Sequence, residues 1–213
     1  MNDPAAFVRR NTALTAPPLV PEIKLHLAGE VVPLWRKTEE ELSREGIPPP
    51  YWAFAWAGGQ ALARYVLDHR ETVQDRSVLD FGSGSGLVAI ASAKAGAARV
   101  LAADIDAFAA AAIALNALAN GVRVEVTTDD PIGGARGWQT ILIGDMCYER
   151  PLAERLLAWL RQCAAGGATV LLGDPGRSYF PKSGVEQLAT YSVPTSRDLE
   201  DREIRETGVY RLS

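Results

Sequence analysis

The chain has 213 residues, of which 47% are hydrophobic, and it carries a formal net charge of −4. This length and composition suit one compact globular domain and exclude a fibrous or disordered chain. The acidic balance argues against a broad phosphate-binding surface, so we expect a protein or small-molecule substrate and no nucleic-acid partner.

Nothing in the sequence indicates a membrane, a secretion signal or a metal. No apolar run approaches the roughly 18 residues of a membrane-spanning helix, and the first residues lack the apolar core of a signal peptide. The two cysteines, Cys147 and Cys163, belong to no metal-binding or redox motif. We therefore expect a cytoplasmic protein without a membrane contact or a metal site.

Residues 1–47 predict an N-terminal arm attached to a domain of residues 48–213. A short helix is expected over Ala5–Asn11, followed by a proline-rich stretch that predicts loose packing. The alternating run Ile23–Leu27 predicts one strand of a hairpin, with Val31–Trp35 as its partner. A capping box then predicts a short charged helix over Thr38–Arg44.

A dense group of aromatic residues begins the domain, just before a helix predicted over Gly59–His69. Trp52 and Trp56 belong to this group. Aromatic residues at this density form either core or the wall of a pocket, and the sequence leaves both alternatives open for each tryptophan.

A strand predicted over Ser77–Phe81 ends in the glycines of the run Gly82–Gly86, and a helix follows. Only glycine lets a backbone turn this tightly and leave its N–H groups open to a ligand. A dinucleotide fingerprint needs a third glycine where Leu87 stands. Asp80 would repel a pyrophosphate but suits a cation. This D-x-G-x-G-x-G pattern resembles the first motif of class I S-adenosylmethionine-dependent methyltransferases.

The next strand, predicted over Arg99–Ala103, ends at Asp104, about 20 residues beyond the glycines. A carboxylate at this spacing can hold the diol of a ribose. The alternative for Asp104 is a turn carboxylate without a ligand. Asp106 is expected to cap the following helix.

The rest of the chain alternates between strand and helix, which predicts a parallel sheet with helices on both faces. Two final strands, Leu188–Val193 and Ile204–Leu212, are expected to pair antiparallel. The other predicted elements are helix Ala107–Ala119, strand Val122–Val126, strand Thr140–Ile143, helix Pro151–Cys163 and strand Ala168–Leu172.

Acidic residues collect at the predicted carboxyl ends of the strands, where open α/β sheets bind ligands. No histidine is among them, and the parts needed for phosphoryl transfer or triad hydrolysis are missing. A negative rim suits a sulfonium donor and a lysine acceptor, so we hypothesise methyl transfer to lysine. Asp145 would capture and aim the amine, with acceptance of its proton as an alternative. Tyr148, expected one helical turn further on, would hydrogen-bond or enclose the amine. Their alternatives are a helix N-cap for Asp145 and simple packing for Tyr148, and Cys147 is expected to be a buried filler.

Five blocks of this sequence resemble the motifs of the electron transfer flavoprotein β-subunit lysine methyltransferases, in the same order. The blocks are Pro50–Tyr65, Val78–Gly86, Asp104–Asp106, Gly144–Tyr148 and Gly173–Arg177. The resemblance implies a Rossmann-like, seven-stranded, mostly parallel sheet whose last strand is antiparallel. It also implies S-adenosylmethionine as methyl donor, S-adenosylhomocysteine as product, and lysines of the flavoprotein β subunit as acceptors.

The resemblance also assigns the site residues by their position in these motifs. Asp80, Gly82 and Gly84 would contact the methionine end, Asp104 the ribose, and Asp129 or Asp130 the adenine, with Asp145 and Tyr148 facing the lysine. The full set of cofactor contacts is Trp56, Asp80, Gly82, Ser83, Gly84, Asp104, Ile105, Asp129, Asp130 and Gly144. Ala57 and Ser85 depart from the family pattern, in which we expect proline and cysteine.

Three alternatives stay open at this point. The acceptor could be a ribosomal protein instead of the flavoprotein. The glycine turn could belong to an NAD(P)-dependent oxidoreductase, or the domain could bind the cofactor without turnover. We expect a monomer in each case.

Overall fold

The computed structural model describes residues 3–29, 48–134, 137–195 and 204–213. Its helices there are α1 Pro4–Asn11, α2 Ala57–Asp68, α3 Leu87–Lys94, α4 Ala107–Ala119 and α5 Arg150–Ala165, with 3₁₀ turns at Tyr51–Ala53 and Arg70–Thr72. Its strands are β1 Ala13–Thr15, β2 Leu25–Leu27, β3 Ser77–Phe81, β4 Arg99–Ala103, β5 Glu125–Thr127, β6 Thr140–Gly144, β7 Thr169–Asp174, β8 Val185–Pro194 and β9 Ile204–Leu212. None of these helices combines the length and the apolar character needed to cross a membrane.

Seven strands form one sheet in the order β5-β4-β3-β6-β7-β9-β8. β9 runs antiparallel to both of its neighbours, while the pairs from β5 to β7 are parallel. The predicted seven-stranded sheet with an antiparallel last strand is therefore confirmed. The chain moves outward from β3 to β4 and β5 and then returns to β6, which makes the carboxyl end of β3 the point where the strand order reverses. Open α/β sheets bind their ligands at this point.

The central strands are apolar on both sides because helices cover both faces of the sheet. Val78 and Leu142 belong to the cluster beneath α2 and α3, while Leu79 and Ile141 belong to the cluster beneath α5. Each of these four side chains is fully buried, which contributes about 2 kcal/mol per side chain. This two-sided burial holds the carboxyl ends of the strands in fixed positions.

The end of α4 explains why one predicted strand is shorter than expected. Gly121 takes the left-handed conformation typical of a helix end, with φ of +65°. The backbone N–H of Val122 then donates to Ala117 O at 3.1 Å and so completes the helix end instead of joining the sheet. As a result β5 covers Glu125–Thr127 rather than Val122–Val126.

The described part of the N-terminal arm is well packed, so the expectation of loose packing was wrong. Phe7 and Val8 of α1 are buried against α4, and Val20 and Ile23 join the core beneath α2. Proline restricts the backbone but does not prevent the apolar side chains between prolines from entering the core.

The predicted hairpin strand is present as β2, and its partner in the described chain is β1, which precedes it. The predicted partner Val31–Trp35, the capped helix Thr38–Arg44 and the predicted domain boundary after residue 47 lie outside the described residues.

Candidate active site

A cavity of about 470 Å³ opens at the carboxyl ends of β3, β4 and β6. This volume is within the range of small-molecule sites. Ten of the twelve site residues expected from the sequence line it: Trp56, Gly82, Gly84, Asp104, Ile105, Asp129, Asp130, Gly144, Asp145 and Tyr148. The topology therefore brings together side chains that are up to 92 residues apart in the sequence.

The glycine loop after β3 forms the floor of this cavity. Gly82, Gly84 and Gly86 all take positive φ angles of +63°, +53° and +82°, which L side chains rarely adopt. A Cβ atom on Gly82 would also collide with the Sδ atom of Met146. The loop therefore needs glycine both for its turn and for its close approach to the loop after β6.

Asp80 and Ser83 are the two predicted contacts that do not line the cavity. Asp80 is 2% exposed, and its Oδ2 accepts hydrogen bonds from Ser83 Oγ at 2.6 Å and from the backbone N–H of Ala89 at 2.9 Å. Burial raises the pKa of Asp80 to about 7. The structure thus places both residues beneath the glycine loop, where they join it to α3, and their contact with a cofactor stays a prediction.

Asp104, at the end of β4, contacts the glycine loop directly. Its Oδ2 accepts from Gly84 N at 2.8 Å and its Oδ1 from Asp106 N at 3.0 Å. Burial raises the pKa of this carboxyl. Asp106 caps α4 by accepting from Phe108 N at 2.8 Å, which confirms its predicted role. Ile105, between them, is highly exposed at the cavity edge.

The two aspartates after β5 lie at the far side of the cavity. Asp129 interacts with Thr127 on the same turn. Asp130 accepts from Ile132 N at 3.0 Å and forms an ion pair with Arg155 of α5 at 2.9 Å. This ion pair partly offsets the negative charge that the sequence predicts here.

Aromatic side chains form the cavity mouth, and the two tryptophans that the sequence left open differ. Trp52 is 1% exposed and belongs to the core as well as to the cavity wall. Trp56 lies at the mouth, where its Nε1 donates to Tyr51 O at 2.8 Å. The ring of Tyr51 is 6.1 Å from that of Trp56 and 5.9 Å from that of Tyr148. Tyr148 is 44% exposed, so its ring is accessible from outside.

Asp145 follows β6 in a left-handed conformation, with φ of +59°. Its Oδ2 accepts from Gly59 N, in the first turn of α2, at 2.9 Å. Its Oδ1 forms an ion pair with Arg177 at 2.7 Å. Asp145 does not cap the next helix, because α5 begins only at Arg150. The chain between Asp145 and Tyr148 is not helical either, so the expected helical turn between these two residues is wrong.

Two cations, Arg155 and Arg177, stand among the carboxylates, so the rim is less negative than the sequence predicts. The sequence reasoning included Arg177 in a motif but gave it no role. The run Gly173–Arg177 is the feature of the sequence that could have indicated a role for Arg177. This run forms a turn, in which Asp174 Oδ1 accepts from Gly176 N at 2.7 Å and from Arg177 N at 2.6 Å. Burial raises the pKa of Asp174 to about 6. This turn fixes the backbone from which Arg177 reaches Asp145.

Cys147 lies beside this group and is almost fully buried. Burial and the nearby Asp174 and Asp145 raise the pKa of its thiol to about 12. A protonated, buried thiol is a poor nucleophile, which agrees with the expectation of a filler.

Comparison with known proteins assigns the family. A family model described as ribosomal protein L11 methyltransferase (PrmA) matches residues 60–136. The electron transfer flavoprotein beta subunit lysine methyltransferase of Xenopus laevis is 39% identical over 214 residues, covering 97% of this chain and 86% of that protein. This chain belongs to the electron transfer flavoprotein beta subunit lysine methyltransferase family. The Homo sapiens member of the family is 36% identical, over 96% of this chain and 80% of its own length.

Solved structures of more distant proteins share the fold of this family. Magnesium protoporphyrin IX methyltransferase from Synechocystis, solved with bound S-adenosylmethionine, has a TM-score of 0.53 and 20% identity, covering 73% of this chain and 78% of its own. A ribosomal protein L11 methylase from Lactobacillus delbrueckii has a TM-score of 0.52 and 23% identity, covering 74% and 79%. The predicted family, class I fold, S-adenosylmethionine dependence and lysine methyltransferase class are confirmed, which removes the oxidoreductase and silent-module alternatives.

Proposed function

We propose that this protein methylates lysine side chains of the electron transfer flavoprotein β subunit, with S-adenosylmethionine as donor. The observation that carries the proposal is the identity of 36–39% with vertebrate flavoprotein lysine methyltransferases along 96–97% of this chain. The cavity at the strand ends adds support, because six predicted acidic or aromatic site residues line it: Trp56, Asp104, Asp129, Asp130, Asp145 and Tyr148.

The cavity fits the donor in both size and chemistry. S-adenosylmethionine supplies a methyl group on a cationic sulfur, together with an adenosine and an amino-acid end. Asp104 would accept hydrogen bonds from the ribose hydroxyls, and Asp129 or Asp130 would face the adenine. The bare backbone at Gly82 and Gly84 would admit the methionine end next to the mouth formed by Trp56.

Asp80 and Ser83 would support the donor from beneath the loop. The carboxylate of Asp80 accepts from Ser83 Oγ in the loop and from Ala89 N in α3, and so it holds the loop against the helix. Ile105 and Gly144 would border the donor from the ends of β4 and β6.

Asp145 and Tyr148 would hold the acceptor lysine at the aromatic mouth. Burial raises the pKa of Tyr148 above its ordinary value, so its phenol is neutral near pH 7 and can position an amine by a hydrogen bond. The reaction is an in-line displacement, and holding the two reactants in alignment supplies much of the rate enhancement. The lysine nitrogen bonds to the methyl carbon, the carbon–sulfur bond breaks, and its electron pair goes to sulfur.

Labelled S-adenosylmethionine provides the test. The protein is incubated with the purified flavoprotein β subunit, and digestion followed by mass spectrometry locates the label. We expect methylated lysine in the flavoprotein and far less of it with Asp145→Asn protein. An unlabelled flavoprotein in the presence of wild-type protein that methylates another substrate defeats the proposal.

A bacterial cell lysate tests the second candidate in the same experiment. The match of residues 60–136 to the ribosomal protein L11 methyltransferase model favours this alternative. Preferential labelling of a ribosomal protein in the lysate would support it over the flavoprotein.

The monomeric state, the cytoplasmic location and the absence of a nucleic-acid partner remain predictions. Light scattering on the purified protein measures the first of them directly. A single species of about twice the chain's 22.9 kDa would contradict it.

A further inference from the structure

We propose that Arg177 is a positioning residue that neutralises Asp145, so that the substrate lysine enters the site as a neutral amine. This inference rests on the proposed lysine methylation and concerns the charge of the acceptor. The sequence alone predicts a different arrangement, in which a bare Asp145 carboxylate captures the lysine as an ammonium.

The ion pair between Arg177 and Asp145 is built into the cavity wall. Arg177 Nη2 lies 2.7 Å from Asp145 Oδ1, and the two side chains are only 17% and 10% exposed. The guanidinium carbon also lies 5.6 Å above the ring centre of Trp56, at a distance typical of a cation–π contact. The backbone of Arg177 is held by Asp174 Oδ1 at 2.6 Å. The arginine is therefore fixed at its backbone, along its side chain and at its charged end.

Asp145 is fixed equally well from its other side. Its second oxygen accepts from Gly59 N at 2.9 Å, and the first turn of a helix carries a partial positive charge. Its left-handed backbone donates from Asp145 N to Gly173 O at 3.0 Å. The carboxylate thus faces one full and one partial positive charge, which offset its own negative charge at the acceptor end of the cavity.

Five other titratable groups lie near this pair. They are Asp174 from β7, Cys147 and Tyr148 from the loop after β6, Tyr51 from the 3₁₀ turn before α2, and Asp104 from the end of β4. The Cys147 thiol and the Tyr148 phenol are neutral near pH 7, because burial raises the pKa of each. Asp174 is buried beneath the Arg177 turn, and Asp104 lies on the ribose side.

A neutralised Asp145 changes which form of lysine the site favours. A free lysine, with a pKa of about 10.4, is almost entirely an ammonium near pH 7 and has no lone pair for attack. An unpaired carboxylate within about 4–6 Å would raise that pKa by about one to three units. With Arg177 in place, the guanidinium offsets this effect, and the sulfonium of the donor then lowers the lysine pKa.

The proton therefore leaves to solvent before the reaction, and the site needs no general base. The neutral amine forms the nitrogen–carbon bond with its lone pair, while the carbon–sulfur bond breaks toward sulfur. Asp145 keeps the role of accepting a hydrogen bond from the amine and aiming it.

The pH dependence of kcat/KM for the protein substrate tests this charge balance. In Arg177→Gln the carboxylate is no longer offset, so we expect the rising limb of the profile to move about one unit to higher pH, or roughly tenfold lower kcat/KM near pH 7. Arg177→Lys keeps the charge and should keep the midpoint of the profile, even where its geometry lowers kcat.

Arg99→Gln is the matched control, because Arg99 also pairs with a carboxylate, Glu125, and also lies over a tryptophan, Trp138, at 5.2 Å. This pair is exposed and does not line the cavity. We expect its pH profile to match that of the wild-type protein. An equal shift of the pH profile in Arg99→Gln would show that the shift in Arg177→Gln comes from the change in net charge of the protein, and it would overturn the inference.

A second readout does not depend on turnover. The flavoprotein β subunit is titrated into protein saturated with a donor analogue that carries a cationic amine in place of the sulfonium and cannot transfer a methyl group. The titration is repeated in buffers of different ionisation enthalpy, and calorimetry gives the protons released on binding. Wild-type protein should release close to one proton per bound lysine near pH 8, and Arg177→Gln clearly fewer.

Wild-type methylation of the flavoprotein, measured first, decides the proposed function on its own. Equal midpoints and equal proton release in wild-type and Arg177→Gln protein would overturn the role of Arg177 and leave the substrate assignment intact. A loss confined to the KM for S-adenosylmethionine would also overturn it, since Arg177 would then act on the donor.

Discussion

At the scale of single residues, two aspartates at neighbouring strand ends have different surroundings. Asp80 lies beneath the glycine loop, where it accepts hydrogen bonds from a hydroxyl and a backbone N–H. Asp145 lies in the cavity wall, where it faces an arginine and the first turn of a helix. A buried carboxylate without a cation has a raised pKa, whereas a cation partner stabilises the charged form. We therefore expect substitution of Asp145 to lower turnover, and substitution of Asp80 to change how stability depends on pH.

Replacing Asp145 with asparagine tests its role at the acceptor end. The substitution keeps the shape of the side chain but removes its charge and one acceptor oxygen. We expect kcat to fall by about 100-fold or more, as for the loss of an aligned catalytic group, while affinity for S-adenosylhomocysteine changes by less than about threefold. Turnover assays and calorimetry measure the two quantities. A parallel loss of cofactor affinity would place Asp145 on the donor instead.

Replacing Asp80 with asparagine tests its buried charge. Because the pKa of Asp80 is about 7 in the folded protein and about 3.9 when unfolded, the folded state binds more protons between these values. The free energy of unfolding should therefore fall as pH rises through this window, by up to about 1.4 kcal/mol per pH unit.

The asparagine cannot ionise, so the Asp80→Asn protein should show a flatter dependence. Urea unfolding of both proteins at pH 5 and pH 7 gives the comparison. The carboxyls of Asp104, Asp106 and Asp174, whose pKa values are also raised by burial, contribute equally to both proteins. Parallel curves would show that Asp80 is not the source of the slope.

At the scale of elements, the approach of α2 to β7 positions the part of the cavity wall that holds Asp145. A Cβ atom on Gly58 would collide with Gly173 O and would lie 2.6 Å from Asp145 Oδ2. This close packing brings the first turn of α2 to the carboxylate. The two glycines therefore act together with Asp145, although they lie on three different elements.

Gly58→Ala should disrupt this contact, because the clash is with backbone and cannot be relieved by a side-chain rotation. We expect a loss of about 2 kcal/mol or more in the free energy of unfolding, typical of overpacking, together with lower turnover. Gly59→Ala is the matched control. Gly59 lies in the same helix, but a Cβ atom added to it would meet no atom within 4 Å. It should be neutral or stabilise by up to about 1 kcal/mol. Equal destabilisation by the two substitutions would show that the loss does not come from the clash of the Gly58 Cβ atom with Gly173 O.

The elements also indicate what the sequence can and cannot predict. β3, β4 and α4 begin and end where their apolar runs and caps predict, because burial and capping act within a few residues of the chain. The pairing of β2 with β1 and the ion pair of Asp145 with Arg177, 32 residues away, depend on tertiary packing. No local pattern carries this information.

The position of Asp80 was accessible to simple reasoning about strands. Successive strand side chains alternate between faces, so Asp80 points to the same face as Val78, beneath α3. Its partner Ala89 lies on that helix. The sequence thus predicts which residues line the cavity beside the glycine loop, whereas the ion pair of Asp145 with Arg177 required the structure.

At the scale of the whole molecule, the N-terminal arm and the cavity share one apolar cluster. Phe7 of α1 lies 4.9 Å, ring centre to ring centre, from Phe108 of α4. The same cluster contains Trp52 and Ala109, which line the cavity. The arm therefore packs behind the wall of the cavity, and its stability should be coupled to ligand binding there.

Phe7→Ala tests this coupling over the length of the molecule. Loss of the buried ring should cost about 3 kcal/mol in the free energy of unfolding. If the ring supports the wall, affinity for S-adenosylhomocysteine should also fall about fivefold, or roughly 1 kcal/mol. Leu14→Ala, on the same arm but 46% exposed, should change stability by less than about 0.5 kcal/mol and leave affinity unchanged. Chemical unfolding and calorimetry measure both quantities. A Phe7→Ala protein that is destabilised but binds S-adenosylhomocysteine with wild-type affinity would contradict this coupling. It would show that Trp52 and Ala109 keep their positions in the cavity wall without support from Phe7.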